Sequence, residues 1–370
     1  MNSPNIVPFI ASERVILPKG SNNPTHFSEM MGLPANLRST RYSFPAYDNQ
    51  FFSSQLRFSN VGTANTTVIV TIAGVERGRY NLAPNQSDRR SYPNLNDGPV
   101  VLQSTGNVPI IASLRVIPLT VNDSFSEIMG LPQSQVSTSY VFPWYNNVDL
   151  NTQVRVANVS GANTFVRLFI GSNEVTSGCT SQGQPLNFPF LLPNNASRRF
   201  SCAANNGPVR VVSTVGNIVA SMRILFPKSG VAPFTGFSEI MGLAQNQLNS
   251  TYHFPWYNNV NLNTQLRVAN MSGSTATVRV FIGGQEMVGS PFTLAARAST
   301  RKSFAISSGP VKVVSNQIIV ASLRVMFTNG NTPTYFSELM GLPQSQLATG
   351  YFFPWYDNVG LDTQLRFGVP

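Results

Sequence analysis

Charge is scarce in these 370 residues: Asp, Glu, Lys and Arg together make up 11% of the chain, against about 25% in an average soluble protein. Lysine is almost missing, with only Lys19, Lys228, Lys302 and Lys312, so the net charge of +10 is nearly all arginine. Long amphipathic helices need charged outer faces, and this composition cannot supply them. Two histidines (His26, His253), two cysteines and 15 scattered acidic residues exclude a local Cys/His metal cluster or an Asp-x-Asp calcium loop. GxGxxG, GKS/T, HExxH and GxSxG patterns are all absent. No apolar run approaches the roughly 18 residues of a membrane-spanning helix. The first twenty residues carry Pro4, Pro8, Glu13 and Arg14 within their apolar stretch and do not read as a signal peptide. The sequence therefore predicts no catalytic, cofactor-binding or metal residues. The nearest acid/base candidates, Asp357 and Asp362, have Asn146 and Asn151 as their second-copy counterparts.

What the chain has is repetition. Phe-Ser-Glu-x-Met-Gly-Leu begins at Phe27, Phe125, Phe237 and Phe336. A Phe-Pro block follows each: Phe-Pro-Ala-Tyr-Asp-Asn from Phe44, then Phe-Pro-Trp-Tyr-(Asn/Asp)-Asn from Phe142, Phe254 and Phe353. Next comes a strand-like run ending Gln-(Leu/Val)-Arg-(Phe/Val), and an apolar run containing Ala-Ser precedes each Phe-Ser-Glu. A period near 100 residues fits tandem β-sandwich domains, not a short-repeat solenoid. In the third period Thr277–Ile282 sets Val278, Val280 and Ile282 against Thr277, Arg279 and Phe281, the two-residue alternation of a half-buried strand, and Gly283-Gly284 marks a turn.

The fold predicted is all-β: tandem immunoglobulin-like β-sandwiches of about 100 residues, about seven short strands each, joined by one-turn helical connectors at Ser-Glu-x-Met-Gly. The boundaries read as 1–26 (a closing strand and linker, a candidate donor strand), 27–124, 125–236, 237–335, and a partial repeat at 336–370. The second unit is longer and holds Cys179 and Cys202, which we read as a disulfide stapling an extra hairpin in an oxidising, extracellular setting. Arg155, Arg267 and Arg366 share one strand position, and Arg115, Arg223 and Arg324 another, in step with Glu127, Glu239 and Glu338. This predicts one internal ion-pair cluster per repeat rather than a basic stripe, and it argues against nucleic acid as a partner. His26 and His253 read as surface or turn residues. Seven Asn-x-Ser/Thr sequons, Asn158, Asn195 and Asn270 among them, permit glycosylation.

The Phe-Ser-Glu-x-Met-Gly-Leu-Pro and Phe-Pro-Trp-Tyr-Asn-Asn blocks resemble a tandem module of secreted or surface proteins of filamentous Chloroflexi bacteria. That resemblance implies location and architecture, and it brings no activity with it.

The chain starts on a closing strand, with Ile10, Val15 and Leu17 apolar, and stops after the opening strand of a fourth unit, with Trp355, Leu365 and Phe367. Two unfinished ends predict unpaired edges. The expected function is an extracellular structural subunit that polymerises head-to-tail by strand complementation into a filament or sheath. The alternative is a monomeric surface adhesin or polysaccharide-binding array, with Trp144, Tyr145, Trp256 and Tyr257 as a stacking platform.

Overall fold

The computed structural model describes residues 7–17, 26–119, 125–226, 229, 236–329 and 332–370. Residues 1–6 and 18–25 of the candidate donor segment lie outside them. The protein is all-β, built from antiparallel sheets packed as β-sandwiches. The expected alternation in the third unit is seen directly: Ala276–Ile282 is a strand whose even-numbered residues are buried, and its turn at Gly283-Gly284 takes positive φ at both positions.

The organising element is a trio of strands that occurs four times. An opening strand pairs with a closing strand, and the closing strand pairs on its far side with the strand carrying Phe-Ser-Glu. In unit 1 these are Phe52–Asn60, Ile110–Pro118 and Ser126–Met129. In unit 2 they are Asn151–Asn158, Ile218–Phe226 and Gly236–Met241. In unit 3 they are Asn263–Asn270, the second half of Val311–Asn329, and Thr332–Met340. The fourth trio joins the two ends of the chain: Asp362–Gly368 pairs with Ile10–Leu17, which pairs with His26–Met31. The first strand and the last are therefore neighbours within one molecule. The expectation that the termini present two unsatisfied edges to a second molecule is corrected here, because each supplies hydrogen bonds to the other.

The connectors are corrected too. Phe-Ser-Glu-x-Met is extended strand, and among the described residues the helical piece near each connector is a three-residue 3-10 turn further on, such as Gln133–Gln135 or Gln344–Gln346. The serine caps nothing in its own segment. It binds the next connector instead: Ser28 Oγ accepts the Glu127 amide, Ser126 that of Glu239, Ser238 that of Glu338, and Ser337 that of Glu29, all at 2.8–2.9 Å. The fourth bond closes the circle, so the connectors form a ring about a pseudo-fourfold axis. Met31, Met129, Met241 and Met340 line two small cavities of ≈100 and ≈130 Å³ on that axis, where a flexible thioether fills irregular space well.

The rest of the motif follows from the same packing. A Cβ at Gly130, Gly242 or Gly341 would come within 2.9 Å of the ring of Phe44, Phe142 or Phe254, so the connector must carry glycine where it crosses the Phe-Pro block. Asn60, Asn158 and Asn270, at the ends of the opening strands, are fully buried and donate from Nδ2 to loop carbonyls. That places two of the sequon asparagines, Asn158 and Asn270, inside the fold. Asn195 is exposed. Cys179 and Cys202 form a disulfide with a Cα–Cα distance of 4.0 Å, joining the inserted hairpin to the edge of the unit 2 sheet.

Candidate functional site

Units 1, 3 and 4 each enclose an Arg–Glu–Arg cluster, and unit 2 a variant of it. Glu338 accepts from Arg267 at 3.2 Å, Arg324 at 2.7 Å and Ser322 at 3.2 Å. Glu127 does the same with Arg57, Arg115 and Ser113, and Glu29 with Arg14, Arg366 and Ser12. In unit 2 Glu239 binds Arg223 and Ser221, while Arg155 leans 3.6 Å from Asp48 of unit 1. The phenylalanine of each motif lies against one guanidinium, with Arg14, Arg115 and Arg324 each 4.7 Å from the ring centre of Phe27, Phe125 and Phe336. Arginine periodicity therefore reports internal pairing. Burial alone would raise the four carboxyls, but the flanking arginines outweigh it and hold them below the ordinary range. Burial, and Arg324 beside it, push the Arg267 guanidinium down to about 9, still cationic at neutral pH. Largely sealed from water, these clusters bolt three strands together, although Nε of Arg14, Arg57, Arg155 and Arg267 and Nη1 of Arg223 are buried without a hydrogen-bond partner.

The aromatic platform is not there to be used. Tyr145 and Tyr257 are 1% exposed. Their hydroxyls donate to the Thr152 and Thr264 carbonyls and accept the amides of Cys202 and Phe304. Trp144 is half-buried and donates to Asn205, which leaves Trp256 as the one exposed member, at 40%. Stacking on a sugar needs a ring face open to solvent, and two of the four proposed rings have none. His26 and His253 are also buried, against Tyr335 and Gln344 respectively, contrary to their reading as surface residues.

The residues expected to drive assembly divide into two groups. Ile10 and Val15 are buried inside the terminal pairing, and Leu17 is half-buried at its end. Trp355 sits under Arg57 and Arg89 of unit 1, at 5.4 and 5.6 Å, so it joins units of one chain. Leu365 and Phe367 are different. Their counterparts Leu56, Phe58, Leu266 and Val268 are all 0% exposed, yet Leu365 is 43% and Phe367 61% exposed. Units 1–3 cover the opening strand with a second sheet and extend its edge with Ser87–Arg90, Ser197–Cys202 or Ser299–Lys302. In unit 4 the second sheet is only the short pair Leu33–Pro34 and Tyr351–Phe352, and among the described residues no strand extends the edge of Asp362–Gly368, the last strand of a three-stranded sheet. Beside it lies a cavity of ≈640 Å³, walled by Phe281, Gly283, Gly284, Lys312, Val369 and Pro370 among others. This edge strand and the cavity beside it are the candidate site.

No family model matches the chain, and no curated protein matches it. Among solved structures an anti-sigma factor domain-containing protein aligns over 93% of this chain and 99% of its own, at 8% identity and a TM-score of 0.17, which carries no argument about fold or role. Among the described residues no group of His, Cys, Asp and Glu could hold a metal ion, and no helix is long and apolar enough to cross a membrane.

One residue near this unit escaped the sequence reading. Glu13 stands where the other closing strands carry Leu114, Met222 and Leu323, and it is 4% exposed with Oε2 unbonded. Burial, then Glu127, raise its carboxyl to about 8 against the pull of Arg115 and Arg57. A folded value above the unfolded one means the neutral acid is favoured, so its contribution is intact below about pH 4.5 and lost as pH rises through about 8. Glu13→Gln is expected to leave urea stability unchanged near pH 4 and to raise it by about 1–3 kcal/mol at pH 9, the usual range for a buried polar group left unpaired.

Proposed function

We propose that the protein is a non-catalytic extracellular structural subunit that assembles with further copies of itself by β-strand addition at its fourth unit. The observation that supports this reading is that Asp362–Gly368 is the edge strand of its sheet among the described residues and exposes Leu365 and Phe367. Long exposed edges of this kind recruit other strands, and soluble proteins ordinarily blunt or cover them. The disulfide fits an oxidising compartment. The paired termini move the point of assembly from end-to-end exchange to this single edge. Sedimentation of the purified protein, with electron microscopy alongside, tests the reading: species heavier than the 40.3 kDa chain are expected, and a monomer at every concentration would reject it.

A further inference from the structure

We propose that Met31, Met129, Met241 and Met340 form a site for one soft monovalent cation, Cu(I) or Ag(I), on the pseudo-fourfold axis of the connector ring. Each methionine comes from a different connector, and the ring of Ser–Glu bonds brings the four together. The cavity of ≈100 Å³ lies on the Glu-x side of the methionines and the cavity of ≈130 Å³ on their Gly-Leu side. All four methionines line both cavities, so the quartet stands between the two. Met30 adds a fifth thioether to the smaller one.

Packing alone does not call for sulfur at this position. The residue before it is also apolar and is almost fully buried in every copy. That position changes from Met30 to Ile128, Ile240 and Leu339, the interchange a filled core tolerates. Methionine stays in all four copies of the next position, although there it is only half-buried. Partial exposure leaves a route from solvent to the sulfur atoms.

Donor chemistry selects the ion. Thioether sulfur is a soft ligand and prefers Cu(I) to hard cations. It is also neutral, so the donors cancel none of the ion's charge. Taking charge out of water is costly, which favours an ion of charge one over an ion of charge two. Three rotatable bonds let each side chain turn its sulfur toward the axis. Among the described residues no free cysteine competes for such an ion, because Cys179 and Cys202 are bridged.

Silver nitrate titrated into the full chain is expected to bind at one ion per molecule. In protein labelled at the methionine methyl groups, the NMR signals of Met31, Met129, Met241 and Met340 are expected to shift together, while those of Met271 and Met287 stay in place. Zn(II), which takes thiolate, imidazole and carboxylate ligands, is expected to move none of them. Met129→Leu/Met340→Leu is expected to weaken silver binding by at least about 100-fold, since losing a supporting group alone costs roughly 10–100-fold in metal affinity. Leucine and methionine exchange with little change in volume, so the melting temperature of the metal-free variant is expected to hold. Met287→Leu, beside the Gln285–Glu286 strand of unit 3, is the control and is expected to keep the wild-type affinity. If the double variant melts lower, the wild-type methyl shifts decide alone. Silver that does not saturate at one ion, or that leaves the four methyl signals unmoved, would overturn the site, as would undiminished affinity in a stable double variant.

Discussion

Glu338→Ala is expected to lower the unfolding free energy by about 3–5 kcal/mol, the range for removing one partner of a buried ion pair. The substitution strands two guanidinium groups, Arg267 and Arg324, whose side chains are 3% and 5% exposed, and it leaves the Ser322 hydroxyl without its acceptor. Attraction between the pair was offset by desolvation on folding. Once the carboxylate is gone the desolvation remains, joined by repulsion between two like charges. Replacing all three charged residues by Met or Leu is expected to recover most of the loss, because an apolar cluster of similar volume needs no neutralisation. Glu286→Ala, which breaks the exposed pair with Arg279, supplies the contrast and is expected to cost no more than about 0.5 kcal/mol. Urea titrations of the three proteins check this directly. Equal effects at Glu338 and Glu286 would mean the triads are not the bolts of the fold. The same clusters set the acid limit. Glu29, Glu127, Glu239 and Glu338 fold with lowered values, so their contribution is present above the ordinary carboxyl range and lost as pH falls through the folded values, opposite in sign to Glu13.

Deleting residues 1–17 is expected to have an effect at least as large. The strand Ile10–Leu17 lies between two others and buries Ile10, Ala11 and Val15 almost completely. Two large apolar side chains at roughly 1.5–3 kcal/mol each are removed, and Glu29 loses Arg14 and Ser12. The sum, about 5 kcal/mol or more, rivals the whole stability of an ordinary domain. The shortened protein is expected to aggregate or to lose a single cooperative melting transition, and a synthetic peptide of residues 7–17 is expected to bind it and restore both. Truncated protein with an unchanged melting temperature would show that the terminal pairing is dispensable. Polymerisation by donation of this strand would instead leave a well-behaved monomer after the same deletion.

Much of this could be read from residues alone. Alternation at Thr277–Ile282 marked a strand because one face of a pleated sheet is buried, and Arg–Glu pairing was visible because the residues repeat in step. The Cys179–Cys202 bridge followed from two cysteines inside one insertion. The ring was missed for a physical reason: a closing strand at one end and an opening strand at the other are complementary whether they meet within a molecule or between two. Local sequence carries no information on which. Four near-identical connectors were the available signal, since four copies of a strand too short to form its own sheet must bury one another. Glycine after Met suggested a helix end, but it answers the crowding of Phe254 and its equivalents. The alternative of a stacking platform took the tyrosine beside each tryptophan as a surface residue, yet adjacent residues of extended chain face opposite sides, which sends Tyr257 inward while Trp256 looks out.

The bond from Ser337 to the Glu29 amide spans 308 residues. The strand Ile10–Leu17 takes its outer partner, Asp362–Gly368, from beyond the whole of units 1 to 3. Units 1 to 3 have local partners and can condense in order, whereas the seam between the ends must wait, so loop-closure entropy weighs most heavily on that one event. Until that seam closes, the apolar strand Ile10–Leu17 is open to capture by neighbouring chains, and a holding chaperone would act there.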